Sequence, residues 1–359
     1  MANFHPLKVS EIHRTTSDSV VLTFFVPEAL KETFKFTQGQ YVTLKKEIDG
    51  EDIRRSYSLC SSPLDDEWKV AVKKIDAGRF STFANDQLQA GDCLEVMPPA
   101  GKFYVPVNPD HSKHYVAFAA GSGITPILSI IKTHLLAEPN STFKLFYINK
   151  TASSIILKET LEGLKNTFLE RLEVFHFLTR EERGIPLLDG RIDQDKLAIL
   201  FDKVIAQDAT DEFFICGPNE MIFLIKDYLQ KIGISSNNIH FELFNTDGLA
   251  PKTTRAKPTS DPHLMSEITI REGGKSIRFS IPRNSDNVLD AALKQNADLP
   301  FACKGGVCCT CRAKLVEGEV DMLVNYGLEQ EEIDNGFVLT CQAIPTSEKV
   351  VVDFDASLT

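Results

Sequence analysis

The sequence predicts three domains in series: an antiparallel β-barrel or sandwich, a parallel α/β sheet, and a compact α+β module. Two changes of pattern and one linker predict it. Residues 1–108 carry short alternating or apolar runs broken by turn residues. Residues 109–245 alternate strand-like with helix-like runs, the mark of a parallel sheet with right-handed crossovers. Residues 246–265 hold Pro251, Pro258 and Pro262 among Thr and Lys, and read as a semi-rigid linker before a C-terminal module at 266–359. At about 150 residues per domain, the 359 residues accommodate two to three such units.

In the first domain the predicted strands are 7–14, 20–26, 40–47, 56–61, 68–75 and 93–97, with a helix-like stretch at 83–88. In the second, strands at 115–120, 143–148, 172–178, 212–216 and 239–244 alternate with helices at 126–137, 154–166, 194–200 and 220–232. The last module opens with a hairpin, 267–271 against 276–281, turning near Gly273-Gly274. A short helix at 287–295 and a cysteine-rich loop follow.

Composition narrows the function classes. Apolar residues make up 43% and charged residues 25%, as in ordinary globular protein. The most apolar stretch, 116–131, is interrupted by Gly121, Ser122, Gly123 and Pro126, so no membrane span is expected. The N-terminus lacks the apolar core of a secretory signal, and a cytoplasmic location is expected. Net charge is −11 with no basic stripe, which argues against nucleic acid as a partner. Residues 266–359 hold 9 Lys and Arg against 15 Asp and Glu, so a protein meeting that end would present a basic patch.

Five of the eight cysteines (303, 308, 309, 311 and 341) fall within 39 residues. The pattern Cys303-x4-Cys308-x2-Cys311, with Cys341 after 29 intervening residues, has the plant-type spacing for a 2Fe–2S cluster. Gly305 and Gly306 would give the loop its unusual dihedrals, and Cys309 falls between ligand positions as a spacer thiol. A structural zinc site is the competing reading, although zinc favours two closely spaced pairs.

Two further regions carry chemistry. Arg55-Ser56-Tyr57-Ser58 closes a predicted barrel strand, where alternate side chains share a face. Arg55 and Tyr57 can present a cation and a flat ring to one ligand: a guanidinium for a pyrophosphate, a ring over an isoalloxazine, with the Ser58 hydroxyl bonding a ring nitrogen. Downstream, Gly78 gives a turn and Ser81 or Thr82 would cap a helix start, where N–H groups bind anions. In the second domain Gly121-x-Gly123-x-Thr125-Pro126 follows a strand and opens a helix, with Thr125 as the expected N-cap. Glycines there let a pyrophosphate approach the helix N-terminus. Cys216-Gly217-Pro218 closes another strand, at the sheet end where such folds bind ligands. No Asp or Glu follows strand 143–148, while Lys150 and Arg180 could meet a 2′-phosphate, so NADPH is favoured over NADH.

In this order, R-x-Y-S, G-x-x-S, G-x-G-x-x-P and C-G-P-x-x-M resemble the ferredoxin–NADP reductase superfamily, with Glu242-Leu-Phe244 similar to its end-of-domain segment. The appended cysteine loop and Thr179-Arg180-Glu181 resemble the branch of phenylacetyl-CoA epoxidase reductase subunits. The resemblance implies an FAD-binding barrel, an NAD(P)-binding α/β domain and a β-grasp ferredoxin domain. It implies a flavin set of Arg55, Ser56, Tyr57, Ser58, Val72, Gly78, Phe80 and Ser81. The nucleotide set would be Gly121, Gly123, Thr125, Pro126, Lys150, Thr179, Arg180, Cys216, Gly217 and Pro218. Ser58, Cys216 and Glu242 would shape hydride transfer, and Cys303, Cys308, Cys311 and Cys341 would bind the cluster. Ala77-Gly78, where the family more often has Gly-Gly, is a departure.

The expected path runs from NADPH to FAD, then singly to the 2Fe–2S cluster, then to a partner oxygenase. Flavin stands between because a hydride brings two electrons and the cluster takes one. Desaturases, other hydroxylases or a hybrid-cluster protein remain alternative acceptors, and a zinc-stapled interaction module is the reading from another class. A self-contained monooxygenase would need an oxygen-activating centre, and the eight histidines, among them His134, His176 and His240, are scattered.

Overall fold

A computed structural model of the chain describes residues 3–244 and 264–356. They divide into two compact units, one spanning 5–244 and the other carrying residues 264–356. Most of the expected linker, 246–263, lies outside the described residues.

The first unit begins with strands β1 (His5–Thr16), β2 (Ser19–Phe25), β3 (Tyr41–Ile48), β4 (Glu51–Ser58), β5 (Trp68–Lys73) and β6 (Cys93–Val96). They pair antiparallel in the order β4-β3-β6-β1-β2-β5. The end strands then meet. Leu59, just past β4, bridges to Val70 of β5, and Cys60 N–H donates to the Lys69 carbonyl at 2.8 Å. That closure removes the free edges, and Leu7, Val9, Leu22, Leu44, Val70 and Val72 fill the interior. The fourth strand starts five residues before the expected 56. Its charged half, Glu51–Arg55, reads like a turn but pairs with β3 in unbroken register through Ile48–Glu51. Helix α1 (Arg79–Asp86) likewise begins ahead of the expected 83.

The second half of this unit alternates β7 (His114–Ala120), α2 (Ile124–Ala137), β8 (Thr142–Asn149), α3 (Lys158–Thr167), β9 (Leu172–Leu178), α4 (Gln194–Lys203), β10 (Glu212–Gly217), α5 (Asn219–Lys231) and β11 (Ile239–Leu243). All five strands are parallel, in the order β11-β10-β7-β8-β9. Covered on both faces, β7 is apolar along nearly its whole length, as buried parallel strands are. Helix α3 starts later than the expected 154 because Leu157 takes a left-handed conformation (φ 58°) that no helix interior accommodates. His134 is fully buried against Tyr115 and Glu138, and His240 bonds Glu212 at 2.9 Å, so both are engaged within the fold.

The second unit holds β12 (Met265–Glu272), β13 (Lys275–Pro282), α6 (Val288–Lys294), β14 (Arg312–Glu317), β15 (Val320–Met322), α7 (Gln330–Asp334), β16 (Phe337–Leu339), β17 (Ala343–Pro345) and β18 (Lys349–Asp353). Its main sheet runs β13-β12-β18-β14-β16, with β12 and β18 parallel. A mixed sheet with α6 packed into the same core, through Val288, Leu289 and Ala292, is the β-grasp arrangement. Met265 opens β12.

Candidate functional site

The order of the parallel sheet reverses between β7 and β10, and α/β folds bind ligands outside the strand ends at such a switch point. The loops after both strands interlock there through glycines. A Cβ on Gly123 would lie 2.2 Å from the Cys216 carbonyl oxygen, and one on Gly217 would lie 2.9 Å from Ala120 Cβ. Gly121 differs: its φ is +52° and a Cβ there would meet nothing within 4 Å, leaving its backbone open to a ligand. The Tyr147 hydroxyl donates to the Gly121 carbonyl at 3.1 Å. Thr125 is not the N-cap that its position suggests. It sits inside α2, its hydroxyl donating to the Ser122 carbonyl at 3.0 Å, with Pro126 buried in the same turn.

The helices at the candidate ligand sites share a feature that the sequence does not announce. Neither α1 nor α2 has a side-chain N-cap, and α3 and α5 also lack one, whereas Asp193 and Asn287 cap α4 and α6. Ser81 and Thr82, expected as caps of α1, lie within it, and Gly78 occupies the cap position. The Ser81 hydroxyl instead accepts from Ile75 N–H and donates to the Gly78 carbonyl, both at 3.2 Å, locking the turn. A Cβ on Gly78 would fall 2.4 Å from Ser81 Oγ. The first turn of α1 thus has no side-chain acceptor on its N–H groups and suits an anion, whereas α2 continues the single turn Gly121–Gly123, its Ile124 N–H donating to the Gly121 carbonyl. Ala77 takes φ +56°, so the position where the family often has glycine keeps the left-handed backbone.

At the end of β4, Arg55 is exposed and Tyr57 lies half-buried against Phe80, with ring centroids 5.6 Å apart. Burial pushes the Tyr57 phenol up, against the opposing pull of Arg55. Ser56 and Thr43 hydroxyls are 3.1 Å apart. Val72 and Phe80 are fully buried in the barrel core, and the Val72 carbonyl accepts from Asn85 at 3.1 Å.

Three residues from distant parts of the sequence converge at the sheet's end. Ser58 Oγ donates to Glu242 Oε2 at 3.2 Å, and Glu242 is the register partner of Cys216 across β10–β11. Burial raises the Glu242 carboxyl to about 8, only partly offset by the Ser58 hydrogen bond. Burial also holds the Cys216 thiol well up, and Glu242 adds to it. The junction is therefore uncharged at neutral pH: a hydroxyl, a carboxylic acid and a thiol. Behind it, Ser129 Oγ donates to the Ser61 carbonyl at 2.6 Å and Thr133 Oγ1 lies 2.8 Å from Ser62 Oγ, fixing α2 to the barrel. The sequence signal for this latch is the pair Ser129 and Thr133, four apart on α2.

Further out, Thr179 N–H donates to Asn149 O and Arg180 N–H to Lys150 O, each at 2.8 Å. Lys150 and Arg180 are thereby neighbours at the ends of β8 and β9, both exposed, and neither forms an ion pair among the described residues. Glu181, the acidic residue beside them, is engaged in accepting from Ala152 N–H at 2.8 Å.

In the second unit the cysteine loop presents its donors inward. The N–H groups of Gly305 and Cys308 lie 3.3 and 3.4 Å from Cys303 Sγ. The Cys308 thiol, joined by these N–H groups, pulls the Cys303 thiol down. Lys304, Gly306 and Cys309, rather than the expected Gly305-Gly306 pair, take left-handed backbone. Cys311 and Cys341 are buried and brought together by Thr340, whose N–H and hydroxyl both bond the Cys311 carbonyl, at 3.1 and 2.9 Å. Cys303 thus interacts with Cys308, and Cys311 with Cys341.

Comparison with known proteins agrees with this layout. The chain matches the oxidoreductase FAD-binding domain family at residues 6–104, the oxidoreductase NAD-binding domain family at 118–227 and the 2Fe–2S iron–sulfur cluster binding domain family at 270–346. It is 43% identical over 357 residues to a 1,2-phenylacetyl-CoA epoxidase subunit of Escherichia coli, covering 99% of both chains. The chain belongs to the ferredoxin–NADP reductase superfamily. Within that superfamily it is also 32% identical over 353 residues to the ferredoxin reductase component of 3-ketosteroid-9-alpha-monooxygenase of Rhodococcus rhodochrous, covering 97% of this chain and 96% of the relative. Phthalate dioxygenase reductase has the same fold, with a TM-score of 0.59 at 23% identity over 98% of each chain.

As a ferredoxin reductase-type oxidoreductase, the chain has residues that fit each group its domains imply. Uncapped helix starts suit phosphates. Two thiol pairs with N–H groups aimed at sulfur suit a two-iron cluster, one pair per iron. No helix among the described residues is long and apolar enough to cross a membrane.

Proposed function

We propose that this reductase takes electrons from NADPH, passes them through FAD and a 2Fe–2S cluster, and delivers them one at a time to an oxygenase, with a phenylacetyl-CoA epoxidase core as its acceptor. The domains would be 1–108 for FAD, 109–245 for the nucleotide, 246–265 as linker and 266–359 for the cluster. The convergence of Ser58, Glu242 and Cys216 at the sheet's switch point carries the reading, because it joins the flavin strand to the nucleotide sheet.

When bound, FAD accepts a hydride and releases electrons singly. Each residue then has a defined task. Arg55 and the first turn of α1 hold the pyrophosphate, Tyr57 covers the ring, and Gly121 and the start of α2 take the nucleotide phosphates. Ser58, held by Glu242, presents its hydroxyl to the flavin edge. The neutral Cys216 thiol packs the nicotinamide side without adding charge. Lys150, Thr179 and Arg180 take the 2′-phosphate. Cys303, Cys308, Cys311 and Cys341 ligate the cluster. The acidic 266–359 module favours an acceptor with a basic patch. A reducing cytoplasm suits a chain whose cysteines cluster at cluster-ligand spacing rather than as a disulfide framework.

The protonated Glu242 has a measurable consequence. Between about pH 4.5 and 8 the folded carboxyl keeps a proton that the unfolded chain has lost, so stability falls as pH rises through that window. Glu242→Gln removes the titration. The stability of wild type relative to the variant should decline from about pH 4.5 to 8 in denaturant melts, then level off. A difference that stays flat would mean the carboxyl is ionised in the fold.

The acceptor is tested by reconstitution. NADPH, this chain and a phenylacetyl-CoA epoxidase core should give epoxide product. Absence of binding and product would move the acceptor to another oxygenase, such as the steroid monooxygenase of the 32%-identical relative.

A further inference from the structure

Gln342 follows Cys341 directly and is 7% exposed. Its Nε2 lies 3.0 Å from the Lys304 carbonyl oxygen and 3.4 Å from Cys341 Sγ. Both neighbours are acceptors and Nε2 carries two hydrogens, so the opposite amide orientation would set Oε1 against two acceptors. The residue is fixed on every side. Its N–H donates to Leu339 O at 2.8 Å, its carbonyl accepts from Leu323 N–H at 3.0 Å, and its Cγ packs where a Cβ on Gly306 would lie 3.2 Å away. The amide therefore bridges the 303–311 loop to the separate segment that supplies Cys341.

We propose that Gln342 donates a side-chain hydrogen bond to the sulfur of a cluster ligand and sets the cluster's reduction potential; the proposal rests on Cys341 being a ligand. One electron from the flavin adds one negative charge to the cluster, shared by its sulfurs, while the amide keeps its proton throughout. A fixed N–H beside sulfur stabilises the more negative state more strongly, which raises the potential. Gln342 is thus a positioning and tuning residue, and it accounts for a buried amide beside a ligand where an apolar side chain would pack equally well.

The test uses the full chain with FAD and cluster. Gln342→Leu and Gln342→Met remove the donor and keep the bulk. Each should favour the oxidised cluster about tenfold, a fall of about 59 mV in an EPR-monitored potentiometric titration. Flavin potential and iron content should not change. In wild type carrying 15N in the glutamine side-chain amide, pulsed EPR of the reduced cluster should show a nitrogen coupling absent from unlabelled protein. That measurement decides the matter even where a substitution lowers cluster loading. Unchanged potentials in fully loaded variants, or no coupling in wild type, would overturn the proposal while leaving the cluster assignment intact. A wild-type chain without iron and without an EPR signal on reduction would instead overturn the cluster assignment.

Discussion

Cys341→Ala is expected to leave NADPH-driven bleaching of the flavin at its wild-type rate while cytochrome c reduction through the cluster falls to background. Cys341 is buried in the second unit, and its removal leaves one of the two thiol pairs with a single sulfur. An iron held by four-coordinate sulfur chemistry does not survive that loss, so iron content should fall with the activity. Every residue of the first unit is untouched, including the uncapped starts of α1 and α2 and the Ser58–Glu242 contact. Stopped-flow absorbance separates the two steps. Unchanged cytochrome c turnover in an iron-free variant would show that electrons leave directly from the flavin and would break the serial order.

The second large effect falls on nucleotide choice. Replacing Lys150 and Arg180 together by Ala should raise KM for NADPH by at least about a hundredfold, since each charged contact to phosphate contributes about 1.5–3 kcal/mol. KM for NADH should hardly move, because that nucleotide lacks the 2′-phosphate. The contact is made equally in ground and transition states, so kcat with saturating NADPH should stay near wild type. The two side chains stand side by side because Arg180 N–H bonds the Lys150 carbonyl, and Glu181 is occupied by Ala152 N–H rather than turned toward a ribose. Equal losses with both nucleotides would mean that these cations support the fold or the shared pyrophosphate instead.

Local patterns are legible in the sequence. The cysteine spacing, the glycine turns after β7 and β10 and the change from alternating to strand–helix pattern each depend on residues close in the chain. What escapes depends on contacts across it. The start of α1 escapes because Arg79–Thr82 carries no apolar repeat, and only the structure places Gly78 at its cap. Thr125 has the composition of a cap but is drawn inward by a preceding single turn, Gly121–Gly123. The Ser129–Ser61 and Thr133–Ser62 latch joins residues roughly seventy positions apart, and no periodicity encodes such a pairing. Gln342 escapes for the same reason: its partner Lys304 lies 38 residues away. The charged half of β4 hides a strand, because in an antiparallel pair exposed positions tolerate charge as long as the backbone ladder is complete.

The central claim is that paired electrons enter at the flavin and leave singly through the cluster. An anaerobic titration of the purified wild-type chain with NADPH, followed by absorbance and EPR together, tests it most directly. The account predicts a yellow-brown protein that takes up about three electrons per chain, two bleaching the flavin and one giving the signal of a reduced 2Fe–2S centre. Uptake that stops at two electrons with no such signal, or a colourless protein that takes up none, would contradict it.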